Sequence, residues 1–254
     1  EAPILIRPFI SSMTKSELMA IMVGGFATVA GSVMALYVSW LNNVPNIAGH
    51  LLAASVMSAP AALMIAKVIY PETERPKTVN SDNIDLKSKD TNAMDAIGRG
   101  ATDGMKLAAN VAAMLIAFIS IVAMINFILG YANTSLQEIL GLIFKPIAWS
   151  MGVPWKEANI VGTLMGEKIV LTELIAFADL TNYIKDGLLS ERSAIIASYA
   201  LCGFANVGSI GIQLGGIGAM APERRGDLSN LVFKAMIGGA LASWLTATIA
   251  GILI

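Results

Sequence analysis

No charged residue appears between Glu17 and His50. The stretch 18–41 alone supplies about 24 mostly apolar residues, and crossing a bilayer takes about 20. Two more uncharged runs, 107–137 and 193–221, have the same character, and 235–254 reads as a last span. Inside hydrocarbon every backbone N–H and C=O must be satisfied by the chain itself, which leaves helices as the natural solution for such runs. Charged residues make up only 14% of the chain, against about 25% in soluble domains. The expectation is an all-α polytopic, multi-pass membrane protein. A formal net charge of -1 argues against a nucleic-acid partner.

Against this background one stretch stands out. Residues 166–177 read GEKIVLTELIAF and set Glu167, Lys168 and Glu173 inside an apolar region. The apolar runs on either side are each too short to cross a bilayer. A carboxylate in that setting is costly, so Glu173 is a candidate site residue. Glu167 and Lys168 mark either a polar hairpin end or an internal ion pair.

Elsewhere the chain divides by composition. A helix start lies between Ser12 and Glu17, with Ser or Thr as cap. The interior of 18–41 holds Gly24, Gly25, Thr28, Gly31 and Ser32. Small residues there mean close helix packing or local unwinding that frees carbonyls near the membrane centre. Residues 51–66 hold Pro60 and read as a bent or partial span. Residues 72–95 form a charged aqueous loop. Met94, Ile97, Ala101 and Met105 follow at helical spacing among charged residues, as in an amphipathic helix at the membrane surface or a polar linker helix.

Within 107–137, Asn110 and Asn126 are read as interhelical hydrogen-bond partners. Lys145, Pro146, Trp149 and Trp155 mark 139–155 as interfacial rather than spanning. Ser190 begins another helix. In 193–221 the sequence GFANVGSIG at 203–211 resembles the small-residue stretch of the first span. The order of acid, polar connector and broken span therefore occurs twice, after Glu1 and after Glu173, as in transporters built from inverted repeats.

Glu173, Asn206 and Ser209 offer carboxylate, amide and hydroxyl groups to a neutral polyhydroxyl ligand, and Phe204 offers an aromatic face. His50 stands alone at the end of an apolar run, and Cys202 reads as a small buried hydrophobe. No nucleophile elbow and no paired metal-ligand spacing is present, so an enzyme is not expected.

Three segments carry a resemblance to the concentrative nucleoside transporter family of cation-coupled importers. EAPILIRP at 1–8 resembles the end of that family's first re-entrant hairpin. Residues 166–177 resemble the signature G-x-K-x-x-x-N-E-F-V-A followed by an aromatic. SYALCGFANVGSIGIQLGG at 198–216 is similar to the later site helix. The signature Asn is Thr172 here, and Leu174 and Ile175 replace Phe and Val.

The resemblance implies spanning helices with re-entrant hairpins, interfacial amphipathic helices and a broken-helix substrate site, assembled as a homotrimer in the plasma or inner membrane. It implies nucleoside import by symport with Na+ or H+, with no organic cofactor. Glu173, Asn206 and Ser209 would bond the ribose, and Phe204 would be the aromatic contact. Glu1 and Val33 would face the nucleobase, and Thr28 and Val29 would hold a sodium ion. The whole of 1–254 would form a single transporter domain that begins partway through a longer protein. The competing expectations are a nucleoside sensor or gate without gradient coupling and, less well supported, a membrane enzyme.

Overall fold

The computed structural model describes residues 6–76 and 91–254, and every regular element among them is a helix. A single turn, α1 (Arg7–Ile10), leads into α2 (Lys15–Ala27). Thr14 caps α2: its hydroxyl accepts the Glu17 N–H at 3.1 Å, and the Glu17 carboxylate accepts the Thr14 N–H at 2.8 Å. This reciprocal box satisfies two donors that a helix start leaves open. Residues 28–30 then leave the helix, and the chain resumes as α3 (Gly31–Trp40). Gly25 lies against Gln213, and the helix also breaks three residues further on.

The next helix, α4 (Ile47–Ile69), runs unbroken through Pro60 for 23 residues. It is a full-length span where the sequence pointed to a bent or partial one. The cause lies at its ends, where His50 and Lys67 read as boundaries. Lys67 stays in the helix because its ammonium donates to the Ser16 hydroxyl at 2.8 Å and lies 3.6 Å from Glu72. The Thr14 hydroxyl donates to Glu72 in turn, and this bond holds the Glu72 carboxyl below its ordinary pKa.

Asn92 caps α5 (Ala93–Gly130), a continuous helix of 38 residues. Residues 94–106 are therefore not a separate surface helix. The charge pattern changes along α5, but no proline or cap interrupts it, so the ladder continues. At 1.5 Å per residue it reaches about 57 Å, well beyond the roughly 30 Å of hydrocarbon. Asn126 ties α5 to the following turn. Its amide donates to Gln137 at 2.9 Å and accepts the Leu136 N–H at 2.9 Å.

Ser135 and Glu138 form a second capping box at the start of α6 (Leu136–Ser150), which passes through Pro146. A connector then leads to α7 (Ala158–Val170), α8 (Glu173–Lys185), α9 (Glu191–Leu201) and α10 (Val207–Met220). The uncharged run 193–221 is thus mostly two short helices and not one span. After a 3-10 turn, Pro222–Arg224, the chain ends in α11 (Arg225–Leu253). Among the described residues, three helical stretches are long and apolar enough to cross a membrane: Lys15–Trp40, Ile47–Ile69 and Pro222–Leu253.

The hub of the packing is α11, which touches α2, α4, α9 and α10. Its small residues permit the approach: Gly238 faces Val23 and Ile69, and Gly239 faces Phe26. A Cβ at Gly239 would collide with Phe26 Cβ and the backbone behind it. Gly239→Ala is expected to cost about 1–3 kcal/mol through overpacking. A lower melting temperature of the purified protein would register it. The Arg192 guanidinium serves the far end of α11, donating to the carbonyls of Gly251, Ile254 and Gly152.

Candidate functional site

Residues 166–177 fold as the end of α7, a two-residue turn at Leu171 and Thr172, and the start of α8. Thr172 is the N-cap of α8, its hydroxyl accepting the Ile175 N–H. Thr and Asn are both favoured helix caps, so this position suits either residue. Glu173 follows as the first residue of α8 and is only 3% exposed. Its carboxylate sits at the positive end of the helix dipole, the favourable end for an anion.

Two side chains meet that carboxylate. The Asn206 amide donates to Oε2 at 3.0 Å, and the Tyr37 hydroxyl lies 3.4 Å from Oε1. Tyr37 is held in place by stacking on Phe177, with ring centroids 3.9 Å apart. Asn206 is also the N-cap of α10, its Oδ1 accepting the Ser209 N–H at 2.7 Å. The two bonds fix the amide orientation, because the carboxylate requires a donor and the N–H an acceptor. The N-termini of α8 and α10 therefore converge on one buried carboxylate.

The break between α9 and α10 depends on Gly203. Its φ is 127°, in the range that L side chains rarely adopt, and a Cβ there would lie 2.8 Å from the Ala27 carbonyl oxygen. Ala27 is the last residue of α2. The two breaks, at 28–30 and 202–206, therefore lie against each other. The sequence showed their likeness but not their contact.

The expected residues fall into three groups. Glu173, Asn206 and Ser209 form one bonded set, and Phe204 lies in the same non-helical segment as Asn206. Asn206 and Ser209 meet as cap and capped N–H. Val33 is half-buried on α3, one turn before Tyr37 and on the same face. Thr28 and Val29 sit in the first break, where the Thr28 hydroxyl donates to the Gly24 carbonyl at 2.9 Å. Glu1 lies outside the described residues.

Sequence reasoning missed Tyr37, whose only signal was its spacing from Val33. For Lys168 it offered a polar hairpin end or an internal ion pair. Lys168 shows no bond to Glu167. Its ammonium donates to the Ala200 carbonyl at 2.9 Å and to the Ser243 hydroxyl at 3.3 Å. Cys202 is buried, as expected, and His50 lies 3.2 Å from the Tyr199 hydroxyl in the first turn of α4.

Residues 50–251 match the family model described as the C-terminus of Na+ dependent nucleoside transporters. The chain belongs to that family. It is 46% identical over 265 residues to an uncharacterized transporter of Haemophilus influenzae, covering 100% of this chain and 62% of that protein. Human solute carrier family 28 member 3 is 42% identical, matched over 100% of this chain and 39% of its own length. Mouse sodium/nucleoside cotransporter 1 is 40% identical, with 42% of its length matched.

Among solved structures, CNTnw in an inward-facing substrate-bound state gives a TM-score of 0.80 at 46% identity, covering 99% of this chain and 61% of that one. CNTnw in an intermediate 3 state gives 0.86 at 45% identity, covering 100% and 62%. The chain thus spans less than two thirds of the length of these relatives. The family is one of multi-pass membrane transporters and not of enzymes.

Proposed function

We propose that the native protein is a secondary active transporter that imports nucleosides by symport, with sodium as the coupling ion. The observation that carries this reading is the buried pair of Glu173 and Asn206 at the convergence of two helix N-termini. Glu173 keeps lone pairs beyond its bonds to Asn206 and Tyr37, and a carboxylate accepts hydroxyl donors in short, charge-assisted bonds. Vicinal ribose hydroxyls supply such donors. Ser209, 4% exposed, and Asn206 complete the ribose side, and Phe204 offers its ring to the ligand. Val33 faces the nucleobase.

The helix pair α7 and α8 acts as a re-entrant hairpin, and the two breaks line the substrate site near the membrane centre. The break at 28–30 suits a sodium ion chemically. Unwound backbone carbonyls and the Thr28 hydroxyl are neutral oxygen donors of the kind a hard cation takes. The sodium-dependent names of the family and of the mammalian relatives support the same ion. The native assembly is a homotrimer. Ion and nucleoside together favour the closed state, because each binds it better than the open one.

The test is radiolabelled uridine uptake by the native full-length protein in proteoliposomes. A sodium gradient should drive accumulation above equilibrium. Uptake that stops at equilibrium under sodium and proton gradients alike would sink the reading.

A further inference from the structure

We propose that Lys168 is a positioning residue for the nucleoside site, a tethered cation that holds the α9–α10 break so that Asn206 meets Glu173. The inference rests on the ribose role proposed for Glu173 and Asn206. It begins with a cost: Lys168 has no exposed surface, and a buried ammonium persists only where its partners compensate the lost water. Those partners are the end of a helix. A helix leaves its last carbonyls without intrahelical donors, and its C-terminus is the negative end of the dipole.

Here α9 stops at Leu201, and Lys168 donates to the Ala200 carbonyl. Its second bond, to the Ser243 hydroxyl, extends the hold by one residue pair. Ser243 accepts from Lys168 and donates to the Cys202 carbonyl at 2.7 Å. Two carbonyls at the start of the break are thus served from α7 and α11.

The same short turn of chain reaches the other end of the break. Lys168 lies in the last turn of α7, and Glu173 opens α8. One grips Ala200 and, through Ser243, Cys202; the other grips Asn206. The segment between them contains Gly203, which has no Cβ to restrict its backbone and so relies on both ends being held. Without the ammonium, the Ala200 carbonyl loses its donor, Ser243 loses its partner on α7, and Asn206 loses its fixed distance from the carboxylate.

Equilibrium binding of uridine and of 2′,3′-dideoxyuridine to the native full-length protein in saturating sodium tests this. Lys168→Met keeps the length of the side chain and removes the charge. It is expected to weaken uridine about tenfold and dideoxyuridine by less than about twofold, so that discrimination on the ribose hydroxyls narrows. Ser243→Ala, a small change that leaves Lys168 in place, is expected to weaken uridine about threefold with the same bias. In an Asn206→Ala background, Lys168→Met should add less than about twofold, because the two act in one chain. Should Lys168→Met fail to fold, Ser243→Ala decides alone.

Equal losses on both ligands, or additive losses with Asn206→Ala, would overturn the positioning role. A wild-type protein that does not distinguish the two ligands overturns the ribose reading and this inference with it. A discriminating wild type with equally discriminating variants overturns only the role of Lys168.

Discussion

Glu173→Gln is expected to weaken uridine binding about a hundredfold while the protein still folds. Each hydrogen bond to a charged acceptor contributes about 1.5–3 kcal/mol, and the proposed ribose contacts draw on two such bonds. Folding survives because glutamine can present its carbonyl oxygen to the Asn206 amide and its own amide to the Tyr37 hydroxyl. The measurement is equilibrium binding in sodium, beside a melting curve of the same sample. Retained affinity would remove Glu173 from the site. A lost melting transition would instead mark the carboxylate as a packing element.

A comparable effect is expected from Gly203→Val, for a different reason. The backbone at 203 has a φ of 127°, and an added Cβ meets the Ala27 carbonyl at 2.8 Å. Strain at such a φ costs about 1–3 kcal/mol, and overpacking against backbone adds about as much. Since Gly203 is where the two breaks touch, the relief would separate α2 from the α9–α10 segment. Thermal stability should fall and sodium-driven uptake should be lost, measured as melting temperature and proteoliposome uptake. Wild-type uptake in Gly203→Val would show that the contact between the breaks is dispensable. Gly25 makes a useful contrast, because its near neighbour is the flexible end of Gln213 and not backbone.

Much of the fold was legible because membrane solvent simplifies the problem. Uncharged runs of this length forecast helices, since a helix satisfies its whole backbone within one segment in hydrocarbon. The caps at Thr14 and Ser190 follow from local chemistry, and Glu173 announced itself by the cost of its charge. The misreadings share a cause. Residues 51–66 and 94–106 were divided at charges, yet Lys67 remains helical by pairing with Ser16 and Glu72 from other parts of the chain. Charge marks where a chain meets water only if no partner arrives from elsewhere.

By itself, then, the sequence determined the all-helical membrane class, pointed to Glu173 as the acid of the candidate site and marked two small-residue stretches without deciding between close packing and unwinding. Those follow from solvation and from local backbone preference. Only the tertiary structure decided that the two failing stretches abut at Gly203 and Ala27. It also paired Asn206 with Glu173 while capping α10, and carried Lys168 to the end of α9 rather than to its neighbour Glu167. These contacts join residues far apart along the chain, among them the end of α2 and the α9–α10 break. Their energies depend on which helix ends meet, a quantity no local pattern contains.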